Sequence, residues 1–435
     1  MKNLYAKIIS SCFLFLMLMA CSEESTLEET PIIEQDSVST PMVTEKPVPT
    51  PMVIEKPKPT FEIVQSAKES DIVPTLLLNI LGTFIQNIEV PEAVYNVRPI
   101  NITYTTKEPW TGQEIKASGA ILIPTEIDFN PAIISLHHAT IDTDLGTPSQ
   151  QVVGVNEITL AKYYASLGYI VSFPDYIGYG SSSEINHPYE DLASLGSTSH
   201  DMLKATKEYL EVQEIKHSKE LFLVGYSEGA TATIAHAELA QKNNDFELLG
   251  SFAGGGSFDK LEFIKLLSVK DEVIESVPNY IWALNTLNQL NQDLNRSWSF
   301  YLNEPNDQKL DAYGPINGLI PNDLIELNPK KLFKNSFIEA ILSGEDNEFI
   351  TALNDNSIES LNLNSPISLF YIPQDEVTFS DILSKKTHQY LLDQQIQSEL
   401  IEIKGENHTD GAIDFFFRSY QKIEKIMESR SSNQE

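Results

Sequence analysis

Leu221-Phe222-Leu223-Val224-Gly225-Tyr226-Ser227-Glu228-Gly229-Ala230-Thr231-Ala232-Thr233-Ile234 holds the decision about the fold. Its first four residues form a continuous apolar run, which suits a strand buried on both faces. From Gly229 to Lys242 the pattern becomes helical. The turn between is tight enough to force its central residue into strained geometry, and the flanking glycines remove side chains that would clash. A strand, this turn and a helix together present the Ser227 hydroxyl at the tip of a sheet. The helix that follows aims free amides at the same place, where negative charge is best stabilised.

Similar short apolar runs recur outward from this stretch. Ala132-Ile133-Ile134-Ser135-Leu136, Ile170-Val171-Ser172-Phe173 and Ile367-Ser368-Leu369-Phe370-Tyr371 are nearly continuous, and helical patterns fall at 158–167 and 200–212. Such alternation predicts an open, mostly parallel α/β sheet with its chemistry at the carboxyl ends of the strands. Upstream, Ile100-Asn101-Ile102-Thr103-Tyr104 alternates apolar with polar, and a turn around 109–112 leads to a second strand over 117–123. The pair predicts an antiparallel hairpin, and helical spacing over 71–88 predicts a helix covering one edge. The strand 249–253 ends in Gly254-Gly255-Gly256 and closes one unit.

Ser227 and Asp375 are 148 residues apart, more than one strand–helix repeat needs. Residues 257–365 therefore read as a helical cap between a core of 61–256 and its continuation, 366–435. Helical patterns lie around 263–267, 280–290 and 332–342. Aromatic residues concentrate at Tyr280, Trp282, Trp298, Phe300 and Tyr301. They suit a substrate pocket, but for any single one the plainer expectation is the cap's own core.

A serine at its ordinary pKa needs a neighbouring imidazole to take its proton. Of the eight histidines, only His388 and His408 follow Ser227 closely enough to the order Ser…Asp/Glu…His. His388 falls in a helical stretch, whereas His408 follows an alternating strand in the loop 405–411, with a helix expected from about Ala412. Asp375, just past the buried strand at 367–371, is the expected orienting acid, with Glu376 and Asp381 as rivals. The backbone N–H of Glu228 is one expected oxyanion donor. Asp175 and Gly178 read as loop-shaping residues.

The 435 residues include 41% hydrophobic and 9% aromatic residues, enough for a large core. A net charge of -32 repels phosphate backbones, so nucleic acid is not an expected partner. Both cysteines, Cys12 and Cys21, lie near the start, leaving the body without a thiol for a disulfide, zinc site or nucleophile. The histidines lack metal-ligand spacing and no dinucleotide or phosphate loop is present, so neither metal nor cofactor is expected.

Lys2 and Lys7 precede an apolar run at 8–19, too short to span a bilayer. Its end, Leu18-Met19-Ala20-Cys21, resembles the lipobox of bacterial lipoproteins. That resemblance implies a signal peptide over 1–20, lipidation of Cys21 and a place in the cell envelope. Ser22-Glu23-Glu24-Ser25 resembles the acidic export signal of some surface lipoproteins. Two ten-residue proline-rich repeats at 40–59 make 21–60 an extended tether.

Gly225-Tyr226-Ser227-Glu228-Gly229, Ser118-Gly119 running to Pro124, and Pro174-Asp175-Tyr176-Ile177-Gly178-Tyr179-Gly180 resemble the α/β-hydrolase superfamily, nearest its bacterial secreted lipases and esterases. The resemblance covers most of 95–420. It implies cleavage of small-molecule or lipid esters through an acyl-enzyme on Ser227, with His408 as base and Asp375 orienting it. It also implies a second oxyanion donor in His137-His138-Ala139-Thr140, where Ala139 is preferred to His138 and Thr140. Two other readings remain open: a serine peptidase or other acyl hydrolase, and a binding lipoprotein on a hydrolase scaffold that has lost catalysis.

Overall fold

Strands apolar on both faces require helices on both faces, and the computed structural model has that arrangement. It describes residues 59–65, 72–85, 88–151 and 156–432; the expected signal peptide, Cys21 and nearly all of the tether lie outside them. Nine strands form one sheet: β1 (Phe61–Gln65), β2 (Val97–Lys107), β3 (Glu114–Pro124), β4 (Ile133–His137), β5 (Ile170–Pro174), β6 (Glu220–Tyr226), β7 (Glu247–Gly254), β8 (Ile367–Tyr371) and β9 (Ser398–Glu402). Their order is β1-β2-β3-β5-β4-β6-β7-β8-β9. The first three strands join antiparallel, and β3 meets β5 antiparallel. From β5 onward every pairing is parallel. The protein is an α/β-hydrolase by architecture.

The helices are α1 (Thr75–Gly82), α2 (Glu157–Ser166), α3 (Leu192–Val212) and α4 (Glu228–Ala240). Between β7 and β8 come α5 (Lys260–Ser268), α6 (Val277–Leu290), α7 (Trp298–Tyr301), α8 (Asn306–Tyr313), α9 (Pro329–Leu332), α10 (Asn335–Ser343) and α11 (Asn347–Asp355). Then follow α12 (Ser380–Asp393) and α13 (His408–Ser432). No helix among the described residues is long and apolar enough to cross a membrane.

Period-two alternation explains how one apolar run serves two layers. On β6, Leu221 and Leu223 pack with Leu203 of α3 and Ile234 of α4. Phe222 and Val224 pack on the opposite face with Tyr164 of α2 and Phe416 of α13.

Some expectations change. The hairpin strands are 11 residues each, longer at both ends than the alternating segments, because ladder hydrogen bonds extend beyond the alternating residues. The edge strand β1 was not expected, and α1 is shorter than 71–88. Helix α3 starts at Leu192 rather than near 200, through a serine-rich turn of low helix propensity. Asp191 caps it by accepting the Ser194 N–H at 2.9 Å, and Ser199 Oγ donates back to the Leu195 carbonyl at 2.7 Å.

The aromatic residues of 257–365 divide. Tyr301 meets Phe337 edge to face, with ring centroids 5.0 Å apart, in the insertion's own core. Trp282 instead stacks on Tyr189, 4.4 Å away and nearly parallel. Phe300 is exposed.

Between β4, α3 and α4 three imidazoles form a chain, His137 and His236 buried and His200 partly so. His137 Nε2 lies 3.1 Å from His236 Nδ1, and His236 Nε2 lies 3.3 Å from His200 Nδ1. Burial depresses all three, His137 to about 3, His200 to about 4, and His236 well below its ordinary value. The folded state therefore holds these rings neutral, while the unfolded chain protonates them near pH 6.5. Stability is full above that pH and falls as pH drops towards the folded values. Each neutral ring costs roughly 1.4 kcal/mol per pH unit in that window. We expect the urea midpoint to drop steeply between pH 6.5 and 4.5, and His236→Gln to flatten that slope; an unchanged slope would refute the account.

Candidate active site

The turn after β6 puts Ser227 at φ 57° and ψ -121°, in the left-handed half of backbone space. The glycines around it are steric necessities. A Cβ at Gly225 would lie 2.1 Å from the Gly229 carbonyl oxygen, and one at Gly229 would lie 2.1 Å from that of His137. The Ser227 N–H donates to the Gly254 carbonyl at 2.8 Å, tying the turn to the end of β7.

His408 Nε2 lies 2.9 Å from Ser227 Oγ. Its Nδ1 faces both carboxylate oxygens of Asp375, each at 3.1 Å. Sequence spacing put His408 in a loop, but it is the first residue of α13. The helix starts early because the Asn407 side chain accepts the Asp410 N–H at 3.0 Å, as an N-cap does. The Tyr226 hydroxyl donates to the His408 carbonyl at 2.6 Å and anchors the ring's backbone.

Asp375 is buried in the loop after β8. Its Oδ1 accepts the Val377 and Thr378 N–H groups at 3.0 and 2.9 Å, and its Oδ2 accepts the Thr378 hydroxyl at 2.7 Å. Burial pushes its pKa up, but the hydrogen bond and charge of His408 outweigh this and hold the carboxyl well below its usual range. The rivals stand elsewhere. Glu376 is exposed, Asp381 lies in the first turn of α12, and His388 Nδ1 is 2.8 Å from Ser398 Oγ.

Glu228 begins α4, where an N–H has no intrahelical acceptor. Its buried carboxyl meets His187 Nε2 at 2.6 Å, and His187 Nδ1 reaches the Ile177 carbonyl at 2.7 Å. The His187 ring also packs edge-on against Trp282 of α6. The Ala139 N–H donates to Glu157 Oε2 at 2.9 Å. His138 has a ring nitrogen against the Ala139 carbonyl and the other against the Asp175 carbonyl, and Thr140 Oγ1 pairs with the Tyr189 hydroxyl. Asp175 braces the neighbouring loop, accepting the Ser118 hydroxyl and the Ser149 N–H. Glu157 and His187 carried no motif and went unnoticed in the sequence; only folding brings them to Ala139 and Glu228.

A cavity of about 440 Å³ opens over Ser227 and His408. Its far walls are apolar, including Phe263, Tyr280, Leu284, Leu287, Phe349 and Leu353. One polar end holds Lys260, paired with Glu190 and 2.8 Å from Ser257 Oγ. Among the described residues, no three or more His, Cys, Asp or Glu side chains come together as metal ligands would.

The sheet order, the strained serine turn and the imidazole beside it define a class before any comparison, and the comparisons agree with that class. The family model of secretory lipases matches residues 146–413, and the chain belongs to that family. It is an ester hydrolase of a secretory family. A comparison with curated proteins finds no match. Among solved structures, a Legionella pneumophila protein described as a hydrolase is similar at TM-score 0.73 and 20% identity, over 84% of this chain and 97% of that one. The rice cell wall degrading esterase LipA of Xanthomonas oryzae is similar at TM-score 0.66 and 20% identity, over 86% and 96%. Candida antarctica lipase A in its closed state is similar at 0.60 and 16% identity, over 85% and 82%.

Proposed function

We propose that this chain cleaves carboxylic esters through an acyl-enzyme on Ser227, with His408 as general base and Asp375 as its orienting acid. The observation that carries the reading is the unbroken line from Ser227 Oγ through both nitrogens of His408 to Asp375. In the first half-reaction Ser227 Oγ attacks the ester carbonyl carbon while Nε2 takes its proton. The tetrahedral intermediate then collapses, and the imidazolium returns that proton to the departing alkoxide. In the second half-reaction a water gives its proton to Nε2 and attacks the acyl carbon, releasing the acid and restoring the serine. Asp375 keeps Nδ1 protonated, so that Nε2 is free to accept. The Glu228 N–H is one oxyanion donor; the Ala139 N–H, expected as the second, is engaged by Glu157 Oε2.

The apolar walls suit an acyl chain or an apolar alcohol. Residues 257–365 act as a cap that excludes water from the acyl-enzyme. Cys21 carries a lipid that anchors the protein in the cell envelope, with 21–60 as tether. This reading uses one machinery for esters and amides alike; the apolar cavity and the family favour the ester.

A fluorophosphonate probe tests the reading. Wild type should label on Ser227 and Ser227→Ala should not, and a panel of p-nitrophenyl esters of graded chain length should turn over faster than peptide substrates. An unlabelled wild type would favour the binding-scaffold alternative, and faster peptide cleavage the peptidase.

A further inference from the structure

Glu157 has a place that its sequence neighbours do not explain. It is the first residue of α2, at the end of a capped helix (Asn156 accepts the Thr159 N–H at 3.0 Å), and it is turned inward. Glu157 lines the same cavity as Ser227, His408 and Ala139. One oxygen, Oε2, accepts the Ala139 N–H. The other, Oε1, is buried without a hydrogen-bond partner among the described residues. A buried oxygen with no partner is costly and calls for an explanation.

We propose that Glu157 is a further catalytic residue: a neutral carboxylic acid whose Oε1–H is a donor of the oxyanion hole, with the Ala139 amide acting through it from behind. The proposal rests on the acyl-enzyme reading above. An amide bound at Oε2 leaves the proton on Oε1, the oxygen with nothing in the free enzyme to receive it. The ester carbonyl is the missing acceptor. As Ser227 attacks and that oxygen gains negative charge, the hydrogen bond strengthens; the proton stays on Glu157 throughout, so no further proton carrier is needed. The Ala139 N–H, drawing density from Oε2, makes the acid a better donor. Glu228 then supplies the second donor from its backbone.

The surroundings favour the neutral acid. Burial pushes the Glu157 carboxyl up to about 8, against the pull of the Ala139 N–H, and the Glu228 carboxyl from α4 pushes the same way. The Tyr226 hydroxyl at the end of β6 and the Tyr176 hydroxyl after β5 are the other titratable groups coupled to Glu157, and burial keeps both protonated. His408 of α13 lines the same cavity. Protonated below about pH 8, Glu157 donates; ionised above it, it repels the oxyanion. A carboxylic acid kept neutral to donate in this way has precedent in enzyme chemistry.

The test is steady-state hydrolysis of p-nitrophenyl butyrate from pH 6 to 9.5 by wild type, Glu157→Gln and Glu157→Leu, beside fluorophosphonate labelling and thermal melting of each. Glutamine keeps both an acceptor for Ala139 and a donor for the substrate. We expect Glu157→Leu to lose roughly 100-fold in kcat at pH 7, the effect of removing one oxyanion donor. Glu157→Gln should stay within about ten-fold of wild type and melt with it. Wild type should decline above pH 8, and Glu157→Gln should lack that decline. A leucine variant as fast as wild type, or faster, overturns the proposal and marks Glu157 as a plug over the Ala139 amide. A glutamine variant that still declines above pH 8 overturns it as well. Both results leave wild-type labelling intact, whereas a wild type that does not label removes the acyl-enzyme reading and this proposal together.

Discussion

On the proposed mechanism, replacing His408 with alanine should lower kcat for an activated ester by roughly 10⁴- to 10⁶-fold, with little change in the unfolding midpoint. A serine hydroxyl is almost wholly protonated at neutral pH, and Nε2 at 2.9 Å is the base within reach of it. Without the ring, attack must proceed from the neutral hydroxyl with water as a poor acceptor. What survives comes from the oxyanion donors and substrate binding. The fold should survive because the Tyr226 hydroxyl holds the backbone carbonyl of residue 408, which alanine retains. Asp375 also keeps its three bonds from Val377 and Thr378. In the proposed mechanism serine and imidazole act as a unit, so Ser227→Ala combined with His408→Ala should be no slower than either alone. Multiplying losses in the double variant, or near-normal turnover in the single one, would remove His408 from the role of base.

Asp375→Asn is expected to cost roughly 10³- to 10⁴-fold in kcat while leaving KM within a few-fold. The asparagine carbonyl can still accept the Val377 and Thr378 amides, which turns its NH₂ towards His408 Nδ1 and the Thr378 hydroxyl. Nδ1 must then accept rather than donate, and the ring's proton moves to Nε2, where it blocks uptake from Ser227. The wild-type carboxyl is held well below its ordinary value, so it stays ionised through the neutral and mildly acidic range. The acid limb of the wild-type rate profile therefore does not report this carboxyl. Its stabilising effect on the fold is full above its unfolded value near 3.9 and is lost as pH falls below that. A D375N enzyme within ten-fold of wild type across pH 6–9 would mean that another group orients the imidazole, and Asp381 would be examined next.

What could be read from the chain alone was whatever local chemistry dictates. The apolar run at 221–224 has no stable place except between two helical layers, and the glycines at 225 and 229 admit only a turn too tight for any Cβ. The order of Ser227, Asp375 and His408 along the chain was legible because each follows the carboxyl end of a recognisable strand. Legibility stopped where contacts come from distant segments. The start of α3 lies in a serine-rich turn with weak helix propensity, and it is helical because burial and the Asp191 cap outweigh that weakness. The placement of His408 at the head of α13 depended on one side-chain cap, which spacing does not reveal.

The oxyanion side is the clearest case of tertiary decision. Ala139 and Glu157 are 18 residues apart, and their bond joins the end of β4 to the start of α2. His187 and Glu228 are 41 apart and are joined by packing beneath Trp282. None of these pairs leaves a periodic or spaced trace, because a hydrogen bond between loops depends on three-dimensional position rather than on pattern. Sequence thus determined the parallel sheet with its hairpin, the strained serine turn and the order of the candidate partners along the chain. The ionisation of the buried carboxyls and histidines, and the walls of the cavity, were decided by folding, since desolvation and proximity exist only once the chain has closed around them.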